Sequence, residues 1–181
     1  MKRTSIFTLS LIATIAISTL ASQPGIASLQ NLGNMISQAV QQKAQVELSL
    51  SVAKQVKQDD KVTWQESGDR VTAQPSDVLR YSLKSQNKGN KAVKNLVMTQ
   101  PIPAGMSYVL KSTTQPAANV TYSIDGGKSF VASPMVAVKL ANGQIEQRPA
   151  PATAYTHVRW QLNEAIAPGQ SAKVSYQVVV R

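Results

Sequence analysis

The chain has 181 residues, 19 of them Lys or Arg against 9 Asp or Glu, a formal net charge of +10 and no cysteine. That length suits one domain plus a short appendage, and a chain of this size buries enough surface to fold without a metal or a disulfide. Zero Cys excludes thiolate catalysis, Cys-ligated zinc, iron–sulfur clusters and a lipid-modified cysteine anchor. The basic residues are scattered and aromatic residues do not interleave them, so they read as a solvated surface and not as a nucleic-acid footprint.

Residues 1–27 read as a signal peptide. Lys2 and Arg3 form a basic start, and residues 6–20 are apolar but diluted by Thr8, Ser10, Thr14, Ser18 and Thr19. As a helix that stretch reaches ~22 Å, short of the ~30 Å hydrocarbon core of a bilayer. Pro24 and Gly25 break it, and Gly25-Ile26-Ala27 offers the small residues a processing enzyme needs before Ser28; Thr19-Leu20-Ala21 is the second site. Removal of Lys2 and Arg3 leaves 17 basic against 9 acidic residues, a charge of +8. Residues 28–43 form a leader or a short amphipathic helix, with Leu29, Leu32, Ile36 and Val40 at three- and four-residue intervals and Gly33 weakening it.

The hydrophobic period changes to two at Val46. Val46, Leu48, Leu50 and Val52 share one strand face, Asp59-Asp60-Lys61 is a charged turn, and Val62-Thr63-Trp64 resumes an extended segment. Pro75-Ser76-Asp77 turns the chain into a strand with Leu79, Tyr81 and Leu83 on one face. Asn87-Lys88-Gly89-Asn90 ends that strand, with Gly89 or Asn90 expected at positive φ. Leu96 and Met98 point inward on the next strand. Pro101 and Pro103 cannot donate ladder bonds, so the chain leaves the sheet there and crosses to the opposite one.

Val120, Tyr122 and Ile124 alternate before Asp125-Gly126-Gly127-Lys128, which reads as a hairpin turn into Phe130 and Val131. Asn142-Gly143, the pair suited to a type I′ turn, tips a second hairpin between Val136, Val138, Leu140 and Ile145. Val158, Trp160 and Leu162, then Val174, Tyr176, Val178 and Val180, supply two core-facing strands joined at Pro168-Gly169. Many short strands with regular turn signals predict an all-β fold, an antiparallel immunoglobulin-like β-sandwich over residues 44–181, with the two hairpins as its surplus over ~100 residues.

Three motifs carry a family resemblance: Asn87-Lys88-Gly89-Asn90, then Pro101-Ile102-Pro103-Ala104-Gly105-Met106-Ser107-Tyr108, then Arg159-Trp160-Gln161-Leu162 leading to Ile166-Ala167-Pro168-Gly169-Gln170-Ser171-Ala172. With Tyr122-Ser123-Ile124-Asp125-Gly126-Gly127-Lys128-Ser129-Phe130 and Tyr155-Thr156-His157-Val158-Arg159-Trp160, the chain resembles a bacterial exported conserved-repeat domain, the "domain of unknown function eleven" family. The resemblance implies an immunoglobulin-type sandwich and brings no catalytic residues. Two positions depart from it: Ser76, where the family usually has Gly, and Gln100, where an acidic residue is common.

The residues offer little chemistry. His157 is the one histidine, and Glu146 and Glu164 are not in ligand spacing with it, so no metal or other cofactor is expected. No Gly-x-Ser-x-Gly elbow is present, and Asp59-Asp60 reads as a solvated turn. Lys88, Lys91 and Lys94, on or beside one turn, are the candidate contacts for an anionic partner. The expectation is a non-enzymatic, exported cell-envelope module of structural, scaffolding or binding role, periplasmic, cell-surface or secreted. Its partners would be anionic envelope polymers or other envelope proteins, not nucleic acid, with no membrane span left after cleavage. The alternatives are a chaperone or assembly factor that donates a sheet edge and a hydrolase using His157 with a carboxylate.

Overall fold

The computed structural model describes residues 5–8, 14–16, 45–59, 61–67, 70–114 and 118–181. In chain order the strands are β1 (Ser5–Thr8), β2 (Thr14–Ala16), β3 (Val46–Gln58), β4 (Lys61–Glu66), β5 (Arg70–Ala73), β6 (Val78–Asn87) and β7 (Val97–Pro101). They continue as β8 (Met106–Tyr108), β9 (Ala118–Ser123), β10 (Met135–Lys139), β11 (Ile145–Pro149), β12 (His157–Leu162) and β13 (Ser171–Val180). A single 3-10 turn, Ala152–Ala154, precedes β12, and no α-helix occurs among the described residues. The expected short helix over residues 28–43, and the cleavage site before Ser28, lie outside them.

Two antiparallel sheets build the sandwich. One has the order β4-β3-β6-β13-β8 and the other β2-β7-β12-β9. The crossing forced by the prolines is where it was expected: β7 ends at Pro101 in one sheet and β8 begins at Met106 in the other. Alternation fixes what lies between the sheets. Leu79, Tyr81 and Leu83 of β6 stand opposite Val178, Tyr176 and Val174 of β13, and all six are buried. From the other sheet Trp160 stands opposite Met98, and both are fully buried. The Trp160 and Tyr176 rings meet across the interior at 5.9 Å between centroids, and the Tyr176 hydroxyl donates to the Pro101 carbonyl at 2.9 Å. One contact is apolar packing and the other satisfies a buried hydroxyl.

Local turn chemistry departs from expectation in three places. At the end of β6 neither Gly89 nor Asn90 takes a positive φ; Asn95 does, at 53°. The loop is instead held by the buried Asn87 side chain, whose Nδ2 donates to Lys91 O at 2.7 Å and Ile166 O at 2.9 Å while Oδ1 accepts from Gly89 N at 3.0 Å. A side chain that supplies the turn's hydrogen bonds removes the need for left-handed backbone. At the second hairpin Gly143 has φ 84° and Asn142 is not left-handed, so the turn is not type I′. Gly143 N donates to Leu140 O at 2.9 Å and Leu140 N to Gln144 O at 2.8 Å. That is a three-residue loop, a type I turn followed by a left-handed glycine. After Asp125 the chain returns through one bridge, Tyr122 to Val131, and not through a strand ladder.

The N-terminal stretch expected to be helical is extended at both places where it is described. β1 pairs antiparallel with β5, and β2 pairs with β7 at the edge of the four-stranded sheet. Ile6, Thr8, Thr14 and Ile15 are β-branched, and β5 and β7 offer unpaired edges to residues of that kind. Among the described residues no helix is long and apolar enough to cross a membrane.

β10 and β11 form a two-stranded sheet of their own, in register from Met135↔Pro149 to Lys139↔Ile145. Every residue of β11 is exposed, and Ile145 is 72% accessible. The apolar side chains of this hairpin were not absorbed by the core.

Candidate binding cleft

Three tyrosines converge at the foot of this hairpin. Tyr108 comes from β8 in one sheet, Tyr122 from β9 in the other, and Tyr155 follows the 3-10 turn. Their ring centroids lie 5.5 Å (Tyr108–Tyr122), 5.0 Å (Tyr108–Tyr155) and 5.4 Å (Tyr122–Tyr155) apart, the last pair edge to face. The Tyr108 hydroxyl donates to that of Tyr122 at 3.3 Å, and Thr113 Oγ1 lies 3.1 Å from the same oxygen. Burial, reinforced by the Tyr122 hydroxyl, pushes the Tyr108 phenol well above its ordinary range, and burial raises Tyr155 as well. The Tyr108 hydroxyl therefore stays protonated and serves as a neutral donor to Tyr122.

The cluster walls a cleft of about 350 Å³, completed by Leu110, Met135 and Pro149. A second hollow of about 340 Å³ continues past Tyr122 to Ile124, Val131 and Pro134, and the two share Met135. Leu110, Val131 and Met135 are each close to half exposed, so the cleft opens to solvent through apolar groups. At its rim Lys111 takes φ 61° in the turn closed by Ser112 N donating to Val109 O at 3.2 Å. A non-glycine residue held left-handed is strained, and such strain gathers at sites where a side chain must be aimed. A roomier hollow of about 430 Å³ lies in the connection between β12 and β13, lined by Leu162, Glu164 and Lys173. It has no aromatic wall, and we assign the candidate site to the tyrosine cleft on that chemistry.

The sequence-predicted residues lie elsewhere. Lys88, Lys91 and Lys94 are exposed on the loop between β6 and β7, and Lys88 Nζ is 3.5 Å from the Glu47 carboxylate. His157 opens β12, half-buried, with Nδ1 3.1 Å from Thr156 Oγ1 and its ring against Gly127, where a Cβ would come within 3.3 Å. Burial first, then Arg159, pushes its imidazole down, against an opposing influence of Asp125. That carboxylate is nearby but engaged. It accepts from the hydroxyls of Ser123 at 2.7 Å and Ser129 at 2.5 Å and from the amides of Lys128 at 3.1 Å and Ser129 at 3.0 Å. The Ser123 bond, then those of Ser129, hold it well below the usual carboxylate range. Asp125 thus ties the glycine turn in place, and His157 lines neither cleft at the hairpin's foot.

Sequence reasoning missed two features. One is the tyrosine cluster, whose members belong to distant segments. The other is Arg159, which stacks its guanidinium 3.4 Å from the centre of the Phe130 ring while Nε donates to Thr99 Oγ1 at 3.2 Å. The two motifs singled out around Asp125 and His157 are neighbours in space, because β9 pairs with β12 from Ser123↔His157 to Ala118↔Leu162. Among the described residues no three His, Asp or Glu side chains gather as a metal site. Comparison with protein-family models, with curated proteins and with solved structures returned no match.

Proposed function

We propose that the protein is an exported cell-envelope β-sandwich module with a binding or scaffolding role and no catalytic activity, related to the exported conserved-repeat domains its motifs resemble. The observation that carries this reading is the tyrosine-walled cleft opening beside an apolar hairpin. Aromatic rings with hydroxyls recognise a partner by stacking and hydrogen bonding, and among the described residues nothing gathered around them resembles a nucleophile with its base. The partner class is another envelope protein or an anionic envelope polymer, for which the +8 charge of a chain cleaved before Ser28 supplies attraction and Lys111 a contact at the cleft rim.

The test has two arms. The protein recovered from its host's envelope fraction begins at Ser28 by intact mass. Its amide resonances at Leu110, Tyr122 and Tyr155 then shift on titration with solubilised envelope polymers or proteins, and Tyr155→Ala reduces that binding. A chain beginning at Met1 in the membrane fraction removes the address, and shifts confined to Lys88, Lys91 and Lys94 move the site to that loop.

A second reading has an observation behind it. β5 and β7 each take a strand from the N-terminal stretch, which supports a module whose sheet edges accept or lend strands during assembly.

A further inference from the structure

The hairpin has one open edge and one blunted edge. At one end of the β10–β11 register Leu140 N donates to Gln144 O, and at the other Ala150 N donates to Pro134 O at 2.9 Å. Antiparallel partners alternate between pairs that exchange both backbone bonds and pairs that exchange neither. The even-numbered residues of β10 therefore direct their N–H and C=O groups to β11, and Met135, Ala137 and Lys139 direct theirs away from it. Among the described residues no strand pairs with that outer edge.

Sheet edges are ordinarily defended by proline, charge or a bulge. β11 follows the rule: Pro149 occupies an outward position, where the proline nitrogen removes a donor at no cost to the ladder, and Glu146 and Arg148 pair at 2.7 Å beside it. β10 does not. Met135-Val136-Ala137-Val138 is uncharged, free of proline and rich in β-branched residues, and Lys139 alone follows it within the strand. Met135 is 46% exposed.

We propose that β10 pairs antiparallel with β10 of a second copy of this chain, about a two-fold axis at Ala137, joining two hairpins into one four-stranded sheet. This register is self-complementary. It places Ala137 opposite its own copy and Met135 opposite Lys139 of the second copy, so all three outward-facing residues exchange backbone bonds. On the other face Val136 meets Val138 of the second copy, a β-branched cross-strand pair of the favourable kind. All five residues overlap, whereas a slip by two in either direction leaves three. No like charges oppose each other, because the two Lys139 residues stand four positions apart, ~13 Å at ~3.3 Å per residue, beyond the screening length of ~8–10 Å. A patch that complements itself is what an isologous dimer requires and a foreign strand does not. Five residues from each copy fall short of the ~800 Å² per partner of a standard stable interface, so the dimer is concentration-dependent. It stands independently of the envelope role proposed above.

Sedimentation velocity on the purified protein over a wide concentration range tests it, with two variants. Ala137→Pro removes an outward donor and leaves the ladder to β11 intact; Ala137→Lys sets two ammonium groups against each other at the axis. The expected result is a wild-type mass rising from one chain to two, with both variants staying at one chain and melting as the wild type does. A wild type that remains a single chain at the highest concentration overturns the proposal. So does a dimer that survives both substitutions, or a single chain that binds an extended apolar peptide along β10 instead.

Discussion

The interior around β6, β12 and β13 and the hairpin of β10 and β11 are written in the same alternating code and come to opposite ends. In the first, Leu79, Tyr81, Leu83, Val174, Tyr176 and Val178 are buried in one cluster with Trp160, Val158 and Met98 of the facing sheet. In the second, Met135 and Ile145 remain exposed. Alternation selects which face of a strand is apolar; only the presence of a second layer decides whether that face is buried. The lesson is that an apolar stripe in this chain marks either the core or a contact surface, and the stability of each side chain separates the two.

The largest expected effect breaks the comparison at its strongest point. Trp160→Ala removes a fully buried ring that touches Tyr176 and costs ~3–5 kcal/mol, whereas Ile145→Thr at the hairpin changes stability by less than ~0.5 kcal/mol. Chemical denaturation of both variants checks this, and equal effects would mean that the hairpin is part of the folding core.

A smaller effect, of opposite sign, comes from a turn. Asp77 N donates to Gln74 O at 3.0 Å with Pro75 next in line and Ser76 at φ 76°, the geometry of a type II turn whose third position favours glycine. The corresponding turn before β13 has Pro168 followed by Gly169 at φ 76° and Gln170 N donating to Ala167 O at 3.0 Å. Ser76→Gly relieves the left-handed serine and raises stability by about 1 kcal/mol, read as an increased denaturant midpoint. The left-handed Ser76 is thereby a local strain.

The smallest effect depends on pH. Partial burial works to raise the Asp77 carboxyl, but the Lys54 ammonium at 2.6 Å and the Gln74 amide at 2.6 Å outweigh it and hold it below its ordinary value. A lowered carboxylate stabilises the folded state above the unfolded pKa of ~3.9 and loses that contribution as pH falls through the folded value. Asp77→Asn therefore melts below the wild type at neutral pH, and the two melting curves converge in acid below pH ~4. A constant gap down to pH ~2 would assign the difference to something other than this ionisation.

The strands were legible because their apolar positions repeat every second residue, and the crossing at Pro101 because proline lacks an N–H. The end of β6 at Asn87 was legible too, but the conformation of the loop beyond it was not, since its organiser is the Asn87 side chain reaching Ile166 across the chain, and nothing in Asn87-Lys88-Gly89-Asn90 announces a partner 79 residues away. The cleft was illegible for a related reason. Tyr108, Tyr122 and Tyr155 occupy three segments and two sheets, and only the packing of the layers brings them within 5.5 Å. Lys88, Lys91 and Lys94 drew attention because they are neighbours in sequence, a signal that local charge gives and tertiary contacts do not.

Site-resolved amide hydrogen exchange at low protein concentration tests the division between core and hairpin most directly. The expected result is that amides of β6, β12 and β13 are protected close to the global limit, and that along β10 Val136, Val138 and Leu140 exchange slowly while Met135, Ala137 and Lys139 exchange fast. Uniform protection of β10 at the level of β13, at every concentration, would contradict it.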